Sequence, residues 1–290
     1  MLRRIRRKII GRIRYLIREK QSHRDLIKNV DKNSLLFFYG NNYSEAGQDG
    51  IIQEILYRLK IKSGYFVEFG GWDGIHISNC RNLFEKGFKG IFIEKNKKKF
   101  KECLLNYPDN EIIAINDIVG APKLGIKGNE LINIITSRDV NVEEIQVVSI
   151  DVDGPDLEIF CEMGFKPPLV ILEGGTNYSP YLNKDVNVPM SFALKNNQQP
   201  FHYIYDQVVK NGYKIVCFHQ DSYCVREDLV NVFEDYDHLK LYKDSWYFNT
   251  RLKREKIKDL RSANGYIKSL EKEKLGHFDP DPLGYESKKS

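Results

Sequence analysis

The stretch "GYFVEFGGWDGIHISNCRNLFEKGFKGIFIEKN", residues 64–96, decides the fold. An apolar run, "YFVEF", carries Glu68 near its end and meets Gly70, Gly71 and Gly74. A helix-like segment, "SNCRNLFEK", follows, with Ser78 as its expected N-cap and Gly87 closing it. A second apolar run then ends in Glu94. Strand, glycine turn, helix, strand and carboxylate in this order describe a nucleotide site at the edge of a parallel sheet.

The alternation continues outward. Apolar runs at 111–116 ("EIIAIN"), 146–152 ("QVVSIDV") and 169–174 ("LVILEG") join those at 65–69 and 90–94 as expected strands. Between them "NKKKFKECLLNY", "GNELINIITSR" and "PDLEIFCEM", the last closed by Gly164, have helical periodicity. The strands are continuously apolar rather than alternating, as a parallel sheet covered on both faces requires. "GQDGIIQEILYRLK" predicts an amphipathic helix leading into the first strand, and "PFHYIYDQVVKN" before Gly212 predicts a late one. "YKIVCFHQDSYCVRED" predicts an antiparallel edge hairpin turning at Gln220–Asp221–Ser222. The order β-α-β-α implies an open α/β sheet with right-handed crossovers. The pattern weakens after about residue 230, and residues 231–290 read as a charged helical extension and a tail.

The 290 residues are 41% hydrophobic and 12% aromatic, which argues against wholesale disorder. No apolar run approaches the roughly 20 residues of a membrane-spanning helix. Cys80, Cys103, Cys161, Cys217 and Cys224 form no CxxC pair, so neither a zinc site nor a disulfide framework is expected, and a reducing cytoplasm is the expected home. The net charge of +5 is uneven: within residues 1–20 nine Lys and Arg oppose Glu19 alone, a local +8 that leaves −3 on the rest. Leu2, Ile5, Ile9, Ile13 and Leu16 recur at spacings of three and four, so residues 1–22 predict a basic amphipathic helix. Such a helix suits peripheral contact with an anionic membrane surface; packing on the domain or pairing with a second copy are the other readings. Nothing in it resembles a nucleic-acid motif, and it lacks the small-residue cleavage site of a secretory signal, so it is expected to be retained.

Charge selects among nucleotides. A dinucleotide fingerprint runs its glycines straight into a helix so that a pyrophosphate rests on the helix N-terminus. Here Glu68 precedes Gly70, Gly71, Trp72, Asp73 and Gly74, and Ile75, His76 and Ile77 intervene before Ser78. A carboxylate there repels a pyrophosphate but welcomes a cation, and S-adenosylmethionine carries an ammonium and a sulfonium without any phosphate. In this reading Glu68 anchors the methionine amino end, directly or through water. The three glycines let backbone approach the ligand. Glu94 accepts from the ribose hydroxyls, and Asn116 or Asp117 meets the adenine amino group. Taken singly, each acid also reads as an exposed loop residue.

Here a resemblance becomes specific. "YSEAGQDG" (43–50), the opening stretch, "AIND" (114–117), "VSIDVDGPDLEIF" (148–160) and "PPLVILE" (167–173) together resemble the FkbM family of S-adenosylmethionine-dependent methyltransferases, over roughly residues 43–228. The resemblance implies a seven-stranded, Rossmann-like class I methyltransferase sheet over residues 23–230 with a reversed last strand. It also implies methyl transfer to an oxygen, commonly a sugar or polyketide hydroxyl. The arm and the tail inherit nothing from it.

Methyl transfer to a hydroxyl needs alignment and removal of a proton. Asp151 and Asp153 are one residue apart at the end of the fourth strand, so extended backbone places them on one face, and Glu173 ends the fifth strand beside them. One of them serves as general base, or the three hold Mg²⁺ that acidifies the hydroxyl, or Asp151 positions the cofactor while the others satisfy backbone amides. Among the histidines His219 is the best candidate base, ahead of His76 and His202, since late strands border the acceptor pocket in this fold. Trp72 and Tyr178 suit a wall of the cofactor site or stacking on a sugar, and equally core packing. The leading expectation is an O-methyltransferase acting on a small-molecule or glycan hydroxyl, at an inner membrane face if the arm docks there. The alternatives are a nicotinamide-dependent dehydrogenase or epimerase, and a non-catalytic, membrane-docked module.

Overall fold

The computed structural model describes residues 30–107, 112–175 and 199–245. The basic arm of residues 1–22, Tyr178 and the tail beyond residue 245 lie outside the described residues.

Strands β1 (Tyr65–Phe69), β2 (Lys89–Ile93), β3 (Ile112–Ile115), β4 (Ile145–Ile150) and β5 (Leu169–Glu173) run parallel. Beyond β5, β7 (Asp221–Arg226) lies antiparallel between β5 and β6 (Tyr213–Phe218). The seven-stranded order is β3-β2-β1-β4-β5-β7-β6, so the chain reverses its direction of winding between β1 and β4. Open α/β sheets bind ligands at such a switch point, outside the carboxyl ends of the strands. The fold is a mostly parallel α/β sheet of Rossmann-like type, in line with the sequence expectation.

Each strand is apolar on both sides because both sides are covered. Val67, Phe69, Ile91, Val148 and Val170 pack in one cluster that also takes residues of α4 (Leu131–Thr136), α5 (Asp156–Cys161) and α6 (Phe201–Lys210). Phe66, Phe92, Val147 and Ile171 face the opposite cluster, built with α1 (Gln48–Arg58), α2 (Arg81–Phe84) and α3 (Lys97–Asn106).

Three details differ from the sequence expectation. The hairpin turns at His219–Gln220, with Asp221 and Ser222 already paired in β7, because the His219 N–H donates to the Asp221 carbonyl at 3.0 Å. Helix α2 starts at Arg81 after Cys80, two residues later than expected, although the Ser78 hydroxyl still accepts from the Arg81 N–H at 2.9 Å while donating to Glu68 at 2.6 Å. Packing also continues past residue 230: α7 (His238–Asp244) sends Leu241 and Tyr242 into the first cluster, with the Tyr242 ring stacked on Phe218 at 5.4 Å. Among the described residues no helix is long and apolar enough to cross a membrane.

Tyr242 is fully buried between Phe201 and Phe218. Tyr242→Ala is therefore expected to cost about 3 kcal/mol in urea unfolding. A loss below about 1 kcal/mol, the range of a surface change, would detach α7 from the core.

Candidate functional site

The carboxyl ends of β1 to β5 surround a cavity of about 430 Å³, within the range of small-molecule sites. Glu45, Glu68, Glu94, Asp117, Asp151, Asp153 and Glu173 line it, against Lys95, Lys99 and Lys127. Acids thus outnumber fixed cations seven to three.

Glu68 sits inside β1 rather than at its end, level with Phe92 of β2. Its carboxylate accepts from the Ser78 hydroxyl at 2.6 Å, the Asn79 N–H at 2.8 Å and the Cys80 N–H at 3.4 Å. Those bonds staple the glycine loop to the strand, so Glu68 acts first on the protein's own backbone. Burial, opposed by those hydrogen bonds, pushes it up to about 7.

The glycines also answer to the protein before any ligand. Gly70 has φ 85°, and a Cβ there would lie 1.6 Å from the Asp151 carbonyl oxygen, so the loop crosses the end of β4 with no room for a side chain. At Gly74 a Cβ would lie 2.8 Å from the Tyr107 ring, whose hydroxyl donates to the Gly74 carbonyl at 2.5 Å. Gly70 and Gly71 line the cavity, while Gly74 and Asp73 do not. Asp73 instead accepts from the Ile75 and His76 N–H groups at 2.9 and 2.7 Å and shapes the loop.

That loop holds two bulky residues in the left-handed region, Trp72 (φ 53°) and Ile77 (φ 60°), both exposed and both on the cavity wall. The Trp72 indole N–H donates to Glu102 of α3 at 2.8 Å, and the Lys99 ammonium lies 4.8 Å from its ring centroid. His76 lines the cavity edge-on to Trp72, at 5.9 Å.

Glu94, just past β2, is buried and takes the Asn96 N–H on one oxygen at 2.6 Å. Asn116 and Asp117, alternatives in the sequence, separate here. The Asn116 amide donates to the Glu94 and Lys95 carbonyls at 2.6 and 3.2 Å and braces that turn without lining the cavity. Asp117 does line it, held by the Asn129 amide at 3.0 and 3.1 Å.

On the other side of β1 the acids crowd. Asp151, Asp156 and Glu173 offer oxygens within 4.8 Å of one another. Asp153 lines the cavity but stands outside this trio: β4 ends at Ile150 and Asp153 adopts φ 57°, so the alternation of an extended strand no longer applies. Asp156, overlooked in the sequence reading, caps the turn by accepting from the Val152 and Gly154 N–H groups at 2.8 and 2.9 Å. Burial leads in every shift here. Glu173 is pushed up to about 10 by burial and then by the charges of Asp151, Asp156 and Asp221. Asp151 rises to about 6 through confinement and Asp153, with a hydrogen bond from Glu173 pulling it back. Asp156 and Asp221 each rise to about 7, mainly by burial. Asp151 and Glu173 titrate as a pair, and at neutral pH that pair retains a proton, held chiefly by Glu173.

His219 does not belong to this site. It is fully buried at the hairpin turn with its ring 5.1 Å from that of Tyr39, and it does not line the cavity. Its neighbour Gln220 does. His202 is buried in α6, also away from the cavity.

Glu45 and Asp221 are further residues that sequence reasoning missed. Asp49 accepts from the Asn42, Tyr43 and Ser44 N–H groups at 2.8, 2.8 and 3.0 Å, and this folds the loop that carries Glu45 to the cavity. The Gln48 amide reaches Asp221 at 2.8 Å, joining that loop to β7 beside Glu173. The acid-rich motif "YSEAGQDG" was the visible signal.

A scan against models of known protein families finds no match, and no curated protein matches the chain.

Asp221 gives a test of the acid cluster. Its folded value of about 7 lies above its ordinary 3.8, so the folded chain retains a proton that the unfolded chain releases. That stabilisation is complete below the ordinary value and is lost as pH rises through about 7. The wild-type Tm should therefore fall further between pH 5 and pH 8 than that of Asp221→Asn. Parallel Tm–pH curves would show that burial leaves Asp221 unperturbed.

Proposed function

We propose that the chain is an S-adenosylmethionine-dependent O-methyltransferase that modifies a hydroxyl of a sugar, glycan or similar hydroxylated metabolite. One observation carries the reading: Glu68 within β1, and Glu94 and Asp117 just past β2 and β3, border a single cavity whose side chains are predominantly anionic. A cavity of this sign favours a cationic, phosphate-free nucleotide. The likeness to the FkbM family and the strand order β3-β2-β1-β4-β5-β7-β6, with β7 reversed, support it as well.

When bound, S-adenosylmethionine supplies an electrophilic methyl group on a sulfonium. The residues fit such a group: Glu94 keeps an oxygen for ribose hydroxyls beyond the one that takes the Asn96 N–H, Asp117 lines the far wall, and Trp72 and Ile118 supply apolar surface. Glu68 holds the glycine loop from beneath it. Asp151 is the proposed general base. With its carboxyl near 6 it is charged at neutral pH and still basic enough to take the proton that an acceptor hydroxyl gives up. Glu173 holds a proton against Asp151 and tunes it. A neutral or cationic acceptor suits this wall better than an anionic one.

A metal-assisted version rests on the trio Asp151, Asp156 and Glu173, whose oxygens lie within 4.8 Å of one another. They would hold Mg²⁺, which acidifies a bound hydroxyl, with water completing its coordination. The dehydrogenase alternative has one feature in its favour: Lys95, Lys99 and Lys127 line the cavity near β2 and β3, where a nucleotide phosphate would meet them.

Calorimetric titration separates these readings. Wild type is expected to bind S-adenosylhomocysteine and not NAD. Glu94→Ala should bind about 10- to 100-fold more weakly, the loss expected for hydrogen bonds to a charged group. Heat with NAD alone would replace the methyltransferase reading. Once an acceptor is found, full turnover in EDTA would assign the proton to Asp151 without a metal, and recovery on adding Mg²⁺ would assign the trio to it.

A further inference from the structure

A second concavity, about 770 Å³, lies at the opposite end of the sheet, by the amino ends of β1 and β2. Leu56, Leu83 and Phe88 form its apolar floor, and Arg58, Lys60, Lys62 and Lys86 surround it. Among the described residues no acid lines it, and Tyr57 stands beside it 79% exposed. Arg58 is partly neutralised by Glu54 at 2.8 Å, whereas Lys60, Lys62 and Lys86 project as exposed cations. Lys60 and Lys62 precede β1 and Lys86 precedes β2, which places the groove at the amino ends of the strands.

The described chain begins at residue 30, on the apolar cluster that also supplies the groove's floor. Val30 packs on the same apolar cluster as Leu59 and Ile61, and Lys32 and Arg58 line one shallow depression. Residues 1–20 carry a net +8, and like charge argues against that segment as the occupant of a basic groove. Both match one partner, a broad anionic surface that takes an aromatic side chain at its polar–apolar boundary.

We propose that this groove is a membrane-docking face that rests on anionic lipid, with Tyr57 at the headgroup level and Lys60, Lys62 and Lys86 on the lipid charges. The cavity at the carboxyl ends of the strands then faces away from the bilayer. The docked enzyme draws its acceptor from solvent, not from the lipid plane below it.

The test uses the full chain and vesicles of phosphatidylcholine with about one-third phosphatidylserine. Each lysine near such a surface is worth roughly a factor of five, so Lys60→Ala with Lys62→Ala and Lys86→Ala should weaken partitioning about 100-fold. These side chains are exposed, and circular dichroism checks that the fold is kept. Independently, Tyr57→Trp should add a tryptophan signal that brominated lipid quenches. Unchanged partitioning of the triple variant, or no quenching at position 57, overturns the proposal. So does absence of wild-type binding to these vesicles. Loss of nucleic-acid retention rather than vesicle binding in the triple variant would assign the face to a polyanion, and a dimer broken by Tyr57→Glu would assign it to a second copy.

Discussion

The site hangs on one buried carboxylate. Glu68 lies buried within a parallel strand, between Phe92 of β2 and Ser149 of β4, where an unpaired charge costs several kcal/mol. It is satisfied because the chain after β1 folds back and brings Ser78, Asn79 and Cys80 to it. That return forces the loop across the end of β4, where Gly70 meets the Asp151 carbonyl with no space for a Cβ. The same fold-back sets Trp72 and Ile77 on the wall of the cavity in left-handed conformations that bulky residues rarely adopt. One hydrogen-bonded acid thus orders the loop, starts α2 and shapes half of the site.

The other half is ruled by burial and then by repulsion. Burial, joined by the charges of neighbouring acids, raises the proton affinity of Asp151, Asp156, Glu173 and Asp221, so the ends of β4, β5 and β7 hold both protonated and charged carboxyls at neutral pH. Environments that pull apart the proton affinities of neighbouring acids are how a fold assigns donor and acceptor roles. The arrangement is costly to the fold, and the Asp156 bonds to Val152 and Gly154 and the Gln48 bond to Asp221 offset part of that cost.

Much of the architecture was legible in the sequence. The continuous apolar runs of β1, β2, β4 and β5 and the helical periods between them specify a parallel sheet covered on both faces, and Asn96 before "KKKFKECLLN" caps α3 as a short polar side chain should. Where the reading failed, it had extended a local rule past the element it governs. Asp151 and Asp153 were placed on one face of a strand that in fact stops at Ile150, and His219 was aimed at a pocket from a residue that forms a buried turn. Asp156, which the sequence did not single out, completes the trio with Asp151 and Glu173.

By itself the sequence determined the order and type of the elements, the glycine loop after β1 and the concentration of acids near strand ends, because these depend on periodicity, turn chemistry and residues close along the chain. Only the tertiary structure decided which acids share a cavity and which of Asn116 and Asp117 faces it. It alone brought Glu45 and Asp221 to the site, through bonds that Asp49 and Gln48 make, the latter across 173 positions of chain. Burial and mutual repulsion, which set the proton affinity of each carboxyl, exist only after distant strands have been laid side by side.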